Sequence, residues 1–244
     1  MNTLDHQVAL ITGASSGIGR ATALALSKAG AKVAVAARRT DRLRELAAEA
    51  PGDMLVLEMD VTDPESVRNA VAGTVERFGS LDIVVNNAGL MLSGFILDAD
   101  TTDWTRMIDT NLLGSMYTVH AALPHLLRSK GAVVQISSTS GRTSSAASGV
   151  YAATKFGINA FSEALRQEVT EQGVRVVVVE PGFVSTELTS HITDPAIQAM
   201  AKDMAASMRT LNPEDIADAV LYAVTQPAHV AVNEILVRPT DQSR

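Results

Sequence analysis

The sequence predicts a doubly wound α/β fold, a parallel sheet of seven strands with helices on both faces. Short β-branched runs alternate along its 244 residues with stretches whose apolar residues recur at three and four. Several runs, Val176-Val177-Val178-Val179 above all, are apolar at consecutive positions. Such strands must be covered on both faces, as in a parallel sheet between two helical layers. No repeat, low-complexity tract or Pro/Gly-rich linker divides the chain, and at about 150 residues per domain its length suits one large domain. Residues 1–244 are therefore read as a single domain.

The first strand, Val8 to Thr12, runs directly into Thr12-Gly13-Ala14-Ser15-Ser16-Gly17-Ile18-Gly19 and then a helical stretch from Arg20. Strand, glycine turn and helix stand in the order of a Rossmann-type dinucleotide site. Gly13 makes the tight turn, Gly17 lets backbone approach a phosphate, and Gly19 lets the helix pack closely, while Ser15, Ser16 and Ile18 lie around the anion at the helix N-terminus. The second strand, Lys32 to Ala36, is followed by Arg38 and Arg39, where an NAD site carries a carboxylate for the ribose hydroxyl. Guanidinium forks suit a 2′-phosphate, which points to NADP(H) as cofactor. The plainer reading makes both arginines solvated charges, together with Arg42 and Arg44. Thr40 is read as the cap of the next helix.

The third strand, Met54 to Glu58, leads to Asp60-Val61, placed to meet an adenine amino group, with Asp60 equally readable as a loop acid. Asp63-Pro64-Glu65 opens a helix. The fourth strand, Ile83 to Asn86, ends in the turn Asn86-Asn87-Ala88-Gly89, beside which Met91 and Leu92 read as an apolar wall. Thr102 to Ser129 reads as one long helix containing Asn111, and the fifth strand, Ala132 to Ser137, precedes the hydroxyls of Ser138, Thr139 and Ser140. A second long helix, Val150 to Gln172, holds Tyr151 and Lys155 at i and i+4 on one face. A phenol of pKa about 10 is a poor proton donor at neutral pH, and an adjacent cation lowers that value. By spacing alone the pair is an ordinary amphipathic one.

The sixth strand, Arg175 to Glu180, precedes a long irregular segment, and residues 183–212 are read as a substrate lid at the carboxyl edge of the sheet. Within it Met200, Met204 and Met208 form a stripe that either meets substrate or packs the lid down. Arg142 and His191 are candidates for a substrate carboxylate, against the plainer reading of solvated loop charges. Asn212-Pro213-Glu214 starts the last helix, and Glu234 to Arg238 is the seventh strand.

Acidic residues exceed basic ones, 27 to 20, which argues against a nucleic-acid partner. The absence of cysteine removes disulfides, thiolate nucleophiles and Cys-bound metal. Five histidines show no paired-ligand motif, so no metal site is expected. The first residues lack a signal-peptide pattern and no apolar run approaches about 18 residues, so a cytoplasmic chain free of membrane contact is expected.

Thr12-Gly13-xxx-Gly17-x-Gly19, Asn86-Asn87-Ala88-Gly89, Asn111, Ser138, Tyr151-xxx-Lys155 and Pro181-Gly182 together resemble the short-chain dehydrogenase/reductase family over essentially the whole chain. The resemblance implies that Tyr151 protonates the substrate oxygen, Ser138 hydrogen-bonds it, Lys155 lowers the tyrosine pKa and binds the nicotinamide ribose, and Asn111 holds a water linking the lysine to solvent. It further implies that Asn87, Ala88 and Gly89 line the adenosine side, that Pro181, Gly182, Val184 and Thr186 border the nicotinamide, and that the long helices build a homotetramer with the tail from Glu234 near another subunit. From the residues alone, Asn111 is also readable as a capping residue and Asn86 to Gly89 as a plain turn. Residues 98–114, 121–131 and 238–242 look like the clavulaldehyde-reducing members of the family. The expected activity is NADPH-dependent reduction of an aldehyde or ketone. The alternatives are a general 3-hydroxy acid or secondary alcohol dehydrogenase and a non-catalytic NADP-binding regulator.

Overall fold

A computed structural model describes residues 3–192 and 194–243. The strands β1 (Val8–Thr12), β2 (Lys32–Ala37), β3 (Met54–Glu58), β4 (Ile83–Asn86), β5 (Ala132–Ile136), β6 (Arg175–Pro181) and β7 (Glu234–Val237) form one sheet in the order β3-β2-β1-β4-β5-β6-β7. All six pairings are parallel. The order reverses between β1 and β4, and ligands of such sheets bind at the carboxyl ends of the strands flanking this switch point.

Alternation along each strand explains the consecutive apolar runs. Ile11, Val35, Val85, Val134 and Val177 face a layer formed by α1 (Gly17–Lys28), α2 (Thr40–Glu49) and α8 (Pro213–Val224). Their neighbours Leu10, Ala34, Val84, Val133 and Val176 face α3 (Pro64–Phe78), α5 (Gly114–Ser129) and α6 (Gly149–Val169). Most of these side chains are excluded from water, and burying one valine or leucine stabilises the fold by about 1.5–3 kcal/mol.

Local chemistry sets the helix starts. Asp63 Oδ1 accepts from the Glu65 N–H at 2.9 Å, and Asn212 and Asp215 form a reciprocal capping box at α8. Thr40 is not a cap: it is the first residue of α2, and Arg39 occupies the cap position without a side-chain bond. The stretch expected as one helix from Thr102 is α4 (Thr101–Met107), a π-helical segment Ile108–Leu113, and α5. At its end Lys130 adopts the left-handed conformation, φ 53°, that usually favours glycine.

The expected irregular stretch after β6 is more ordered than its sequence implied. Its ends are stapled by parallel pairing of Val184 with Leu211. Between them lie a 3-10 turn, Glu187–His191, and the helix α7 (Pro195–Ala206), whose start is capped by Asp194. Ile197 anchors α7, while Met200 and Met204 are 59% and 49% exposed and Met208 lies past its end. The methionine stripe therefore does not pack this segment onto the core. Among the described residues, no helix is long and apolar enough to cross a membrane.

Candidate active site

The turn after β1 is built by close backbone approach. Gly13 has φ +64°, and a Cβ there would lie 2.7 Å from Ala88 Cα; one on Gly19 would lie 2.4 Å from Asn87 Nδ2. The Thr12 hydroxyl accepts from the Asn87 and Ala88 N–H groups, both at 3.0 Å. Asn87 Nδ2 donates to the carbonyls of Thr12 and Gly13. Gly19 thus lets α1 pack closely on the turns that follow β1 and β4. Gly17, φ +53°, lies under Thr186, where a Cβ would come within 3.1 Å of Cγ2. The Ser16 side chain does not cap α1, so the first-turn N–H groups at Gly17, Ile18 and Gly19 remain as anion donors. Gly17 lines a cavity of about 660 Å³ together with the hydroxyls of Ser15, Ser16, Ser185 and Thr186, Arg20 and Arg42, and Glu45, Glu49 and Glu187.

The glycine turn and its hydroxyls fit a dinucleotide phosphate, and the rim is of mixed charge, with Arg20 paired to Glu49 and Arg42 to Glu187. Arg39 reaches over the turn, its Nε and Nη2 donating to Ser15 Oγ at 3.2 and 3.0 Å and its Nη2 also to Ser16 Oγ at 3.0 Å. Arg38 is exposed beside it. Arg39 Nη1 and Arg42 Nη1 both donate to Glu187, at 3.0 and 2.7 Å. The hydrogen bond from Arg42, then that from Arg39, holds this carboxyl below the ordinary range. Arg42, named from the sequence only as a solvated charge, stands three residues after Arg39 in α2, and no local signal marks Glu187.

The remaining adenosine-side candidates gather next to the turn. Asp60 Oδ1 accepts from both the N–H and the hydroxyl of Thr62, the geometry of a loop acid. Buried Val61 packs against Gly114, which has no Cβ to block it. Gly89 faces Asn111 Oδ1. On the opposite side Pro181 ends β6, and Gly182 lies so close to the Gln242 side chain that a Cβ would collide with it. Gln242 Oε1 accepts from the Phe183 N–H at 3.0 Å, and the Thr186 hydroxyl accepts from the Leu188 N–H. Arg244, the end of the tail, is outside the described residues.

The proton-transfer candidates cluster where β5 and α6 meet. Tyr151, in the first turn of α6, is buried, and a side-chain hydrogen bond joins it to Ser138. Lys155, one turn further and also buried, donates from Nζ to the Ile136 carbonyl at 2.8 Å, with Nζ 5.7 Å from the Tyr151 ring centroid. Burial pushes the phenol up to about 12 against a smaller downward pull from Ser138. It pushes the lysine down to about 8. The expected lowering of the tyrosine by its neighbour is therefore overridden: removal from water dominates both groups. Asn111, turned inward by the π-helical segment, donates its two amide hydrogens to Leu90 O at 2.9 Å and Thr154 Oγ1 at 3.2 Å, and accepts from the Leu90 N–H at 2.8 Å. Its amide donors are thus spent on fixing the loop after β4 to α6, and a water can reach only its acceptor oxygens.

A second network, unseen in the sequence, backs the Ser138 loop. Glu180, 1% exposed, accepts from Arg142 Nε at 2.5 Å and Asn159 Nδ2 at 2.8 Å. Asn159 Oδ1 accepts from the Ser137 hydroxyl at 2.6 Å, and Asn159 Nδ2 also donates to the Gly141 carbonyl at 3.2 Å. Arg142 pairs with Glu234 as well. Arg142, a candidate for a substrate carboxylate against the reading of a solvated charge, has its guanidinium on two carboxylates of its own chain. His191 lies at the exposed end of the 3-10 turn, its imidazole held below the ordinary value by desolvation first and then by Arg39. Among the described residues, no group of three or more His, Cys, Asp or Glu is placed to hold a metal ion.

Residues 7–196 match the family model described as short chain dehydrogenase. An uncharacterized oxidoreductase of Staphylococcus aureus strain MW2 is 41% identical over 241 residues, covering 98% of this chain and 100% of the relative. The closed form of a serine dehydrogenase complexed with NADP+ is similar with a TM-score of 0.92 and 34% identity, covering 98% of this chain and 97% of that one. An alcohol dehydrogenase from the archaeon Thermococcus sibiricus, complexed with 5-hydroxy-NADP, gives a TM-score of 0.86 and 32% identity, covering 98% of each chain. With a family match over most of its length and the sheet order and turn described above, the chain belongs to the short chain dehydrogenase family of oxidoreductases.

Proposed function

We propose that this protein is an NADP(H)-dependent carbonyl reductase that interconverts an aldehyde or ketone with its alcohol. The observation that carries this reading is buried Tyr151 and Lys155 beside half-buried Ser138 at the carboxyl ends of the strands, next to a phosphate-fitting turn. The glycine turn with Ser15, Ser16 and Ile18, Arg38 and Arg39, Asp60 and Val61, and Asn87 to Gly89 would hold the nucleotide, with Tyr151, Lys155, Pro181, Gly182, Val184 and Thr186 around the nicotinamide. Such a cofactor, when bound, supplies a hydride to the carbonyl carbon or accepts one from the alcohol. In reduction Tyr151 gives its proton to the oxygen, and Ser138 donates a hydrogen bond to the same oxygen. Lys155, near pKa 8, restores the phenol's proton from the solvent side, and Asn111 fixes the loop beside it. Residues 183–212 would cover the substrate.

Both similar structures described above are complexed with NADP-type cofactors, which supports the choice of cofactor. The likeness to a serine dehydrogenase favours a second reading of the substrate, a 3-hydroxy acid, over a plain secondary alcohol. Clavulaldehyde as substrate rests only on residues 98–114, 121–131 and 238–242. A pure binding protein would have no use for a buried lysine beside a buried phenol. The same proposal includes a cytoplasmic homotetramer built on the long helices, where Ile108 and Phe156 are exposed apolar side chains; light scattering measures its size directly.

The test is consumption of NADPH and NADH against aldehydes, ketones and 3-keto acids, with Tyr151→Phe in parallel. Turnover with NADPH that Tyr151→Phe abolishes while cofactor still binds is the expected result. Undiminished turnover by that variant would remove Tyr151 from the chemistry.

A further inference from the structure

We infer that Glu187 is a specificity-determining residue for the cofactor, an internal anion that competes with a 2′-phosphate for Arg39 and Arg42. The inference rests on the NADP(H) reading. A guanidinium has five N–H donors, and Arg39 has committed four: one from Nε and two from Nη2 to the serine hydroxyls, and one from Nη1 to Glu187. Both of its two-pronged faces are therefore engaged. Recognition of a phosphate monoester by an arginine fork takes two donors on one face, so Arg39 must release either the serines or the carboxylate.

The serine contacts are neutral hydrogen bonds within the cofactor turn itself. Glu187, in contrast, offers the same chemistry as the ligand, an oxyanion, with one oxygen on Arg39 and the other on Arg42. It sits one residue after Thr186 and lines the same cavity as Ser15 and Ser16. A doubly charged phosphate outbids the single carboxylate, whereas a ribose hydroxyl gains nothing from displacing it. The carboxylate thereby lowers affinity for every ligand that needs the arginines and leaves the others untouched.

The experiment is calorimetric titration of NADPH, NADH, 2′,5′-ADP and 5′-AMP into the wild type, Glu187→Gln and Glu49→Gln. Glu49 lines the same cavity but pairs with Arg20, so it controls for a general loss of negative charge. Glu187→Gln is expected to tighten NADPH and 2′,5′-ADP about three- to tenfold, in line with two partly exposed ion pairs, and to leave NADH and 5′-AMP within about twofold. Glu49→Gln is expected to change none of them by more than that. A wild type that binds 2′,5′-ADP no better than 5′-AMP would refute the cofactor reading itself. A wild type that does prefer 2′,5′-ADP, with Glu187→Gln unchanged or Glu49→Gln equally tightened, would overturn the role of Glu187 alone.

Discussion

Lys155 is the residue at which this active site conflicts most directly with folding. Its ammonium is buried, and desolvation lowers its pKa from the ordinary 10.5 to about 8. At about 1.4 kcal/mol per pH unit, a charged Lys155 costs the fold about 3 kcal/mol at neutral pH. The sign follows from proton counts. Between pH 8 and 10.5 the unfolded chain still holds the lysine proton and the folded one has released it, so stability rises with pH through that window. Below about pH 8 both states are protonated and the cost is constant.

Substitution of Lys155 by methionine, an uncharged chain of similar length, removes this titration. Chemical denaturation of both proteins at pH 7 and pH 10 should then show the wild type gaining about 2–3 kcal/mol on the variant over that interval. Loss of the hydrogen bond to the Ile136 carbonyl shifts the comparison by the same amount at both pH values, and other titrating groups, Tyr151 included, are common to the two proteins. A stability difference constant to within about 0.5 kcal/mol would mean that Lys155 titrates in the fold as it does in water. That result would also take the depressed lysine out of the proposed proton relay, because an ammonium of ordinary pKa near 10.5 yields its proton to the phenolate less readily than one near 8.

Two further predictions concern stability. Glu180→Gln should cost about 2 kcal/mol in chemical denaturation and lower kcat/KM by loosening the Ser138 loop; this is below the 3–5 kcal/mol of a fully buried broken pair because Arg142, 41% exposed, is rehydrated when released. An unchanged denaturation midpoint would show that the network does not hold the loop. Lys130→Gly should raise stability by about 0.5–1 kcal/mol by removing a side chain from a left-handed helix cap, and a thermal melt showing no increase would mean that packing of the Lys130 chain over Gly173 outweighs the backbone cost.

The parts of the fold that depend on burial were legible in the sequence. A strand covered on both faces must be largely apolar, which made the central strands β1, β4, β5 and β6 stand out, while the edge strands β3 and β7, half-buried or exposed, stood out by their β-branched and aliphatic runs; the ends of all seven are displaced by at most one residue. Pro181 joins β6 in register with Val237 because a strand's last residue can dispense with its N–H. Glycine positions were equally legible, since a positive φ or a missing Cβ leaves one residue type available. Other features escaped because their cause lies between segments far apart in the chain. The Asp194-Pro195 start of α7 was a local signal and was overlooked, but nothing local marks Glu187 as the partner of Arg39, or Glu180 as that of Arg142. Periodicity cannot show the π-helical segment either, because one wide turn disturbs a helical pattern no more than a single polar residue does. Yet that turn brings Asn111 to Leu90 and Thr154, and Thr154 Oγ1 in turn donates to the Tyr151 carbonyl at 2.7 Å, so the contact reaches the proposed proton donor. The placement of Tyr151 is thus linked to a backbone irregularity in another helix, so the motif supplies the side chains while long-range packing determines their geometry.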